Sequence, residues 1–278
     1  MSFPVLLAVL GAALLHAAWN AVIKVGLSKQ TSMFLLSIGH ALIGIVVAAI
    51  NPLPAPEAWP WILGSGLIHM AYQLFLAYAY EQGDLSRVYP LARGAAPMVV
   101  LVVSILFLSD PLRGWEFAGI LVLGTGILLM ARGIFTNGES RRLLPYALGS
   151  AAATAGYTLA DGLGARVSGQ PVAYVGWLMI CSALFYTPAV VALKGRAVMR
   201  ADARAWGLGM VAAAASFAAY AIAVWAMTVA PIALVSALRE TSILFAVLLG
   251  WLFFRDRMDR TKVAAAILIV GGAALTRL

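Results

Sequence analysis

The amino-acid sequence predicts an all-α integral membrane protein, with ten transmembrane helices arranged as two inverted repeats of five. Three observations support this fold class. Of the 278 residues, 63% are hydrophobic and only 11% are charged, the mean hydropathy is +0.95, and the two halves of the chain resemble each other. A water-soluble domain has about 25% charged residues. The composition therefore excludes a soluble globular domain and indicates a lipid bilayer as the surroundings of the chain.

The apolar residues fall in successive runs, each close to the roughly 20 residues that a helix needs to cross a bilayer. Helices are expected because lipid offers the backbone no hydrogen-bond partners. The first span lacks a preceding basic segment and a small-residue cleavage site, so we expect it to be a retained helix. The ten predicted spans lie within residues 3–24, 31–50, 59–80, 88–108, 115–132, 144–165, 172–193, 206–228, 231–253 and 262–276.

Basic residues in the predicted loops indicate the orientation of the chain. Fourteen lysines and arginines lie in or beside the loops after odd-numbered spans, whereas only Arg113, Arg166 and Arg277 lie on the other side. Cytoplasmic loops are enriched in positive charge, so we expect odd-numbered loops in the cytoplasm, both termini outside, and a bacterial-type inner membrane as the location. The net charge of +8 is explained by this asymmetry, and we expect no nucleic-acid partner.

The two halves of the chain repeat each other. At an offset of 146 residues, LFLSDPL lies over LFFRDRM, Asp110 over Asp256, and Arg93 over Arg239. Each half has five spans, and five is odd, so the second half is expected to cross the membrane in the opposite sense. Many secondary transporters have such repeats, with a substrate site near the midplane between them. The predicted units are a first repeat over 1–135, a linker over 136–143 and a second repeat over 144–278.

The ends of the two repeats carry a family resemblance. Each has an apolar helix, a short acidic turn and a glycine-containing last helix, LVLGTGILLM and ILIVGGAALT. This pattern resembles the EamA-type branch of the drug/metabolite transporter superfamily over the whole chain. Members commonly carry Glu in the acidic turn, whereas this sequence has Asp110 and Asp256. HAAWNAVIK in the first span resembles a subset associated with phosphonate use, and other branches export amino acids. The resemblance implies a transporter, with outward movement of its substrate.

Polar residues inside the spans share helix faces, which predicts a central cavity. Residues three or four apart lie on one face of a helix, and polar residues within a membrane normally face a cavity or a partner. On the sixth span, small residues spaced by four from Ala152 to Gly164 predict a second face that packs on another helix. The candidate substrate-binding residues are His16, Trp19, Asn20, His69, Tyr72, Gln73, Tyr89, Arg93, Tyr157, Asp161, Ser216, Tyr220, Arg239 and Glu240.

Several of these candidates have two interpretations. His16 and Asn20 either line the cavity or bridge helices by hydrogen bonds. Arg93 and Arg239 either bind a substrate carboxylate or phosphonate, which suits the planar guanidinium group, or form gate contacts. Asp161 and Glu240 are the acids deep enough in the predicted spans to carry protons, which makes protons a candidate coupled ion.

These residues predict a secondary transporter of small organic solutes, most simply amino acids with bulky or aromatic side chains, by alternating access. The alternatives are a multidrug or organic-cation exporter, because aromatic rings also bind cations, and a transporter of a phosphonate-type metabolite. A different class, an intramembrane enzyme or a non-transporting subunit, has little support, because no hydrolase or metalloprotease motif occurs. We expect no enzymatic activity, no cofactor and no metal site, and the oligomeric state stays open between monomer and homo-oligomer.

Overall fold

Helices occupy all ten predicted spans in the computed structural model, which describes residues 1–24, 28–82, 96–108, 110–131, 143–254 and 260–278. Every regular element within these residues is helical, which confirms the predicted all-α fold class. The start of the fourth predicted span, 88–95, lies outside the described residues. The α-helices are α1 (Phe3–Lys24), α2 (Lys29–Ile50), α3 (Trp59–Gln82), α4 (Ala96–Phe107), α5 (Gly114–Ala131), α6 (Leu143–Ser168), α7 (Pro171–Lys194), α8 (Ala203–Val229), α9 (Ile232–Arg239), α10 (Ser242–Phe254) and α11 (Arg260–Leu275).

The length and apolar surface of these helices fit a bilayer. Six described segments are long and apolar enough to cross it: Phe3–Val22, Lys29–Ile50, Pro56–Ala79, Pro171–Lys194, Ala203–Val229 and Ile232–Leu249. Large apolar side chains point outward from the bundle, among them Ile50 at 75% exposure and Leu184 at 66%. Such exposed residues would be unfavourable in water, whereas in lipid they are solvated by the hydrocarbon tails. The chain is therefore a multi-pass membrane protein.

The ninth predicted span, 231–253, contains two helices separated by a two-residue turn. α9 ends at Arg239 and α10 begins at Ser242. Between them the N–H groups of Glu240 and Thr241 donate to carbonyls three residues back, at 3.0 and 3.1 Å, which tightens the chain into a turn. The four consecutive polar residues 239–242 are each at most 7% exposed. Irregular backbone at membrane depth is tolerated where protein covers it, and transporters use such breaks at their substrate sites.

Small residues bring α3 and α6 together in an antiparallel pair. A Cβ atom on Gly164 would lie 2.6 Å from the Cβ atom of Trp61, so only glycine permits this approach. The contacts along the pair are Trp61 with Gly164, Ile68 with Gly156, and Phe75 with Gly149. The predicted packing face of the sixth span is therefore right at Gly156 and Gly164, but Ala152 is exposed, because Gly149 lies at the interface instead.

The packing partners follow the predicted repeat. α1 packs on α8 and α3 packs on α6, while α2 packs on α7 and α5 packs on α11. The repeat makes α1 equivalent to α6 and α3 equivalent to α8, so exchanging the halves leaves this set of pairs unchanged. In the α5–α11 pair, a Cβ atom on Gly272 would lie 2.7 Å from the carbonyl oxygen of Gly119. A set of helix pairs that is unchanged by exchanging the halves is expected of a structural repeat. The opposite threading of the halves and the unit boundaries stay predictions.

Candidate functional site

Asp161 of α6 is the centre of a buried hydrogen-bond network. Its side chain is fully buried and accepts hydrogen bonds from three other helices. His69 Nε2 on α3 lies 3.1 Å from Oδ2, the Tyr174 hydroxyl on α7 donates to Oδ1 at 2.9 Å, and the Tyr220 hydroxyl on α8 donates to Oδ2. With a carboxylate, which only accepts, this contact is a hydrogen bond when His69 carries a hydrogen on Nε2. These donors replace the water that a buried charge has lost.

Four rings surround this network and form what we call the aromatic cluster: His69, Tyr72, Tyr157 and Tyr220. His69 stacks on Tyr157, with ring centroids 4.1 Å apart and an interplanar angle of 18°. Tyr72 meets Tyr157 edge to face at 5.3 Å, and Tyr220 meets His69 in the same way at 5.3 Å. Each of the four is at most 9% exposed. The cluster joins α3, α6 and α8 in the bundle interior.

Arg239 lies at the edge of the aromatic cluster. Its Cζ atom is 5.1 Å from the centre of the Tyr220 ring, within the range of a cation–π interaction. The residue is only 7% exposed and is the last residue of α9, directly before the interruption of the ninth span. Within the described ranges, Arg239 makes no hydrogen bond and no ion pair. The structure thus brings His69, Tyr72, Tyr157, Asp161, Tyr220 and Arg239 together, all of them candidates from the sequence.

The polar stripe of α1 is satisfied largely within its own helix. Trp19 Nε1 donates to His16 Nδ1 at 3.2 Å, and Asn20 Nδ2 donates to the His16 carbonyl at 2.8 Å. Trp19 is 4% exposed and belongs to the same apolar core as Tyr72, Tyr157 and Tyr220. These two hydrogen bonds run along α1 and do not bridge helices.

The remaining candidates lie apart from the cluster or outside the described residues. Gln73 Nε2 donates to Ser182 Oγ on α7 at 3.0 Å, so Gln73 joins α3 to α7. Ser216 is buried on α8 one turn before Tyr220, and Glu240 is buried in the turn between α9 and α10. Tyr89 and Arg93 fall within 83–95 and are not described. No group of three or more His, Cys, Asp or Glu side chains in the described ranges is arranged to hold a metal ion.

Sequence reasoning missed Tyr174 as a partner of Asp161. A weak signal was present, because the hydroxyl of a tyrosine inside an apolar span usually requires a hydrogen-bond partner. It also used Asp110 only as a marker of the repeat and of the acidic turn, and Arg166 only as a loop charge, although the two residues form an extensive polar contact.

We call this contact the Asp110–Arg166 clasp. Arg166 Nη1 and Nη2 donate to the two carboxylate oxygens of Asp110 at 2.6 and 2.9 Å. Arg166 Nε donates to the Met227 carbonyl at 2.9 Å, and Nη2 also reaches the Ala230 carbonyl at 3.1 Å. The N–H of Ile232, the first residue of α9, donates to Asp110 Oδ2 at 3.0 Å. The clasp therefore ties the α4–α5 loop to α6 and to the α8–α9 junction.

The clasp keeps Asp110 ionised. Partial burial favours the neutral acid, but hydrogen bonds from Arg166 and the Ile232 N–H, together with the positive charge of Arg166, outweigh burial and hold the pKa of Asp110 below its ordinary value. The carboxylate is thus charged at every physiological pH.

A second charged contact, between α3 and α7, lies at the opposite end of the bundle. Glu81, near the end of α3, accepts from Lys194 Nζ at the end of α7 at 3.1 Å and from Gln30 Nε2 at 3.1 Å. Lys194 also lies 4.4 Å from the Tyr78 ring, which stacks on Tyr146 near the start of α6. Tyr146 lies near the start of α6 and Arg166 lies near its end. The Glu81–Lys194 contact and the clasp are therefore at opposite ends of the bundle.

Comparisons with known proteins agree with this architecture. The model of the EamA-like transporter family matches residues 3–132 and again 142–278. An "Uncharacterized transporter in cobO 3'region" of Sinorhizobium sp. is 33% identical over 132 residues, which are 43% of this chain and 93% of the relative. A solved crystal structure of a protein has the same fold, with a TM-score of 0.75 and 22% identity over 99% of this chain and 98% of its own. The chain belongs to the EamA-like transporter family, within the drug/metabolite transporter superfamily, and is a membrane transporter of small solutes.

Proposed function

We propose that the protein is a secondary transporter that exports amino acids with bulky or aromatic side chains, and that the aromatic cluster lines its substrate site. The observation that supports this proposal is a buried group of four rings with one arginine at its edge, in the interior of the bundle. Sites for small organic molecules combine an apolar, aromatic lining with a few polar groups that fix orientation. Outward transport follows from the family resemblance.

Asp161 has a positioning role in this proposal. Three of its roughly four acceptor positions are filled by His69, Tyr174 and Tyr220, so little of the carboxylate is left for a substrate. By fixing His69 and Tyr220, Asp161 fixes the faces on which a substrate side chain stacks. Trp19 adds a further aromatic surface from α1.

Alternating access requires each end of the pathway to open in turn. The Asp110–Arg166 clasp joins the first predicted repeat to the second at one end, and the Glu81–Lys194 contact does so at the other. Opening either end between the repeats requires the contact at that end to break. By the loop-charge count, the clasp is at the external end and the Glu81–Lys194 contact is at the cytoplasmic end.

The experiment is counterflow in proteoliposomes. Vesicles loaded with unlabelled L-phenylalanine are diluted into labelled L-phenylalanine, and we expect transient accumulation of label that protein-free vesicles lack. Tyr157→Leu, which removes a ring of the cluster, is expected to weaken counterflow about 2-fold to 12-fold, since aromatic contacts contribute about 0.5–1.5 kcal/mol beyond their buried area. The matched control is Tyr146→Leu on the same helix, outside the cluster.

Two results would contradict this proposal. Exchange of the lipophilic cation tetraphenylphosphonium without exchange of any aromatic amino acid would indicate the organic-cation exporter instead. Absence of exchange for amino acids, cations and phosphonates alike would indicate a non-transporting protein.

The same vesicles test the coupling ion that Asp161 and Glu240 suggest. If protons are coupled, an imposed pH gradient changes the rate of efflux and the effect is lost in Asp161→Asn or Glu240→Gln. Flux that is independent of the gradient would rule this coupling out.

A further inference from the structure

We infer that the guanidinium group of Arg239 binds the anionic group of the transported solute, a carboxylate or a phosphonate, while the aromatic cluster binds its apolar part. This inference rests on the proposed transport function and names the class of substrate that the site accepts.

The guanidinium group of Arg239 is buried without a hydrogen bond or ion pair of its own within the described part of the chain. The residue is 7% exposed. A charged residue inside a membrane is unfavourable by at least about 2.5–3.5 kcal/mol. Buried charges are therefore normally paired, so an arginine that keeps its donors unused in the bundle interior indicates a missing anionic partner.

Tyr220 holds the guanidinium group through the face of its ring. The contact is between the Arg239 Cζ atom and the face of the Tyr220 ring, at 5.1 Å. A ring attracts the cation as a whole and uses none of its five N–H donors. The Tyr220 hydroxyl donates to the Asp161 carboxylate, which makes the ring more electron-rich and strengthens this attraction. Arg239 is thus positioned by Tyr220, with its fork of N–H groups left for a ligand.

Arg239 and the aromatic cluster form two chemically different parts of the site. A guanidinium fork matches the two oxygens of a carboxylate or two of the three of a phosphonate. Arg239 belongs to the same contact network as the rings of Tyr220, His69 and Tyr157. A small anion or zwitterion with an aromatic or bulky apolar side chain can contact both parts. A simple organic cation would meet the positive charge of Arg239, which opposes its binding.

The test uses four probes that share one benzyl side chain and differ in charged groups: L-phenylalanine, 3-phenylpropionate, L-phenylalaninamide and 1-amino-2-phenylethylphosphonate. Equilibrium binding to the purified wild-type protein is measured for each. We expect at least one of the two carboxylates or the phosphonate to bind about 10-fold to 100-fold more tightly than the amide, because a charge-assisted hydrogen bond contributes about that factor. Comparing L-phenylalanine with 1-amino-2-phenylethylphosphonate shows which of the two anionic groups the site prefers.

Three variants localise the effect. Arg239→Gln is expected to lower the affinity for the preferred anion to that for the amide, whereas Arg239→Lys keeps the charge and retains part of the preference. Arg204→Gln, at an exposed arginine near the start of α8, is the matched control and should bind like the wild type. If Arg239→Gln fails to fold, the comparison of Arg239→Lys with the wild type tests the role of Arg239, because loss of the planar fork should lower the preference for the anion over the amide.

Each outcome separates this inference from the proposed function. Amide binding as tight as that of the acids, no binding of any probe, or unchanged anion affinity in Arg239→Gln would overturn the role of Arg239. Counterflow of phenylalanine that persists unchanged in Arg239→Gln would overturn it too, while leaving the proposed transport intact. Absence of counterflow in the wild type would instead contradict the proposed function.

Discussion

Asp161 shows how a single buried charge can organise a site within a membrane. Its donors come from α3, α7 and α8, so four helices converge on one carboxylate. Removing a donor leaves the charge partly unsatisfied in a medium without water, and hydrogen bonds to charged groups contribute about 1.5–3 kcal/mol each. The side chains of His69 and Tyr220 in the aromatic cluster are thus held by a carboxylate that, in the proposed function, need not touch the substrate.

We predict that Tyr220→Phe and Tyr174→Phe each lower the free energy of unfolding by about 1.5–3 kcal/mol, because each removes one donor to Asp161 and keeps the ring. Thermal unfolding of the purified protein in detergent is the measurement. Tyr146→Phe is the matched control, since the Tyr146 ring stacks on Tyr78 away from the network, and its effect should stay below about 0.5 kcal/mol. Equal melting temperatures for all three variants would contradict the central role of Asp161.

The sequence predicted the residues of this site better than their contacts. Tyr157 and Asp161 were found because they lie four apart on one helix face, and Tyr220 because it is polar within an apolar span. Tyr174 was missed because its contact with Asp161 depends on how α7 packs against α6, which no local pattern encodes. The same holds for Asp110 and Arg166, which are 56 residues apart in the chain and meet only in the folded bundle.

At the scale of elements, glycine decides which helices can pack closely. A Cβ atom on Gly272 would lie 2.5 Å from the backbone nitrogen of Leu123, whereas one on Gly271 would meet nothing within 4 Å. We predict that Gly272→Ala forces α5 and α11 apart and lowers the free energy of unfolding by about 1–3 kcal/mol. The neighbouring Gly271→Ala should be neutral or slightly stabilising, because alanine favours the helix. Thermal unfolding of the two variants checks the difference, and equal losses would contradict the close packing.

The clasp carries a second prediction at this scale. Asp110→Asn keeps the size of the side chain but removes the ionic contact with Arg166, so the end of the bundle that it joins should open more readily. The measurement is the rate at which a membrane-impermeant thiol reagent labels Ser216→Cys, in a protein whose native cysteine is replaced by Cys181→Ala. We expect labelling from the clasp side to become faster.

Glu57→Gln is the control for this experiment. Glu57 is exposed and belongs to the 3-10 turn whose preceding residue, Ala55, donates its N–H to the Ser168 carbonyl near the clasp. Glu57 lies at the same end of the bundle but outside the ionic contact, so removing its charge should leave the labelling rate unchanged. A rate in Asp110→Asn equal to that of the control would show that the clasp does not restrict access.

The pH dependence of the clasp follows from the lowered pKa of Asp110. A carboxyl whose pKa is lower in the folded than in the unfolded protein stabilises the fold above its unfolded value, about 3.9. That stabilisation is lost as the pH falls through the folded value. The reactivity of a thiol falls with falling pH in the same way in both proteins, because the thiolate is the reacting form. We therefore compare the labelling rate of Ser216→Cys with that of the same cysteine in Asp110→Asn, and expect the ratio to be constant around neutrality and to rise toward one under strong acid. A response to acid that is the same in both proteins would show that groups other than Asp110 cause it.

The interruption of the ninth span was visible in part from the sequence. Arg239 and Glu240 were recognised as polar, but the apolar runs on both sides favoured one continuous helix over 231–253. The signal for a turn was the run of four successive polar residues, 239–242. In one continuous helix these four side chains would spread around the whole circumference, so a polar group would face every neighbouring surface.

At the scale of the whole molecule, composition and the spacing of apolar runs were sufficient for the fold class, because a bilayer restricts the chain to a helix bundle in which each span satisfies its own backbone. The identity of the packing partners was not available from single helices. The α1–α8 and α3–α6 pairs are seen only in the folded bundle, where they are equivalent under the predicted repeat.

The predicted threading has a direct test. Reporter tags at the N-terminus, within 136–143 and at the C-terminus are assayed for accessibility in intact cells. Because each half has five spans, we expect both termini outside and the 136–143 segment in the cytoplasm. Finding the three tags on one side of the membrane would contradict two oppositely threaded halves.

The eight residues of α9 have one further consequence. The N–H of Ile232 at its first position is bonded to Asp110, and Arg239 is its last residue. With a rise of 1.5 Å per residue, this rod is about 10 Å long, and residues 232–238 are at most 5% exposed. If the solute binds at Arg239 and the clasp closes the external end, as proposed above, a shift of this short helix would move both of its ends together. Binding of the solute and opening of the clasp would then be coupled through α9.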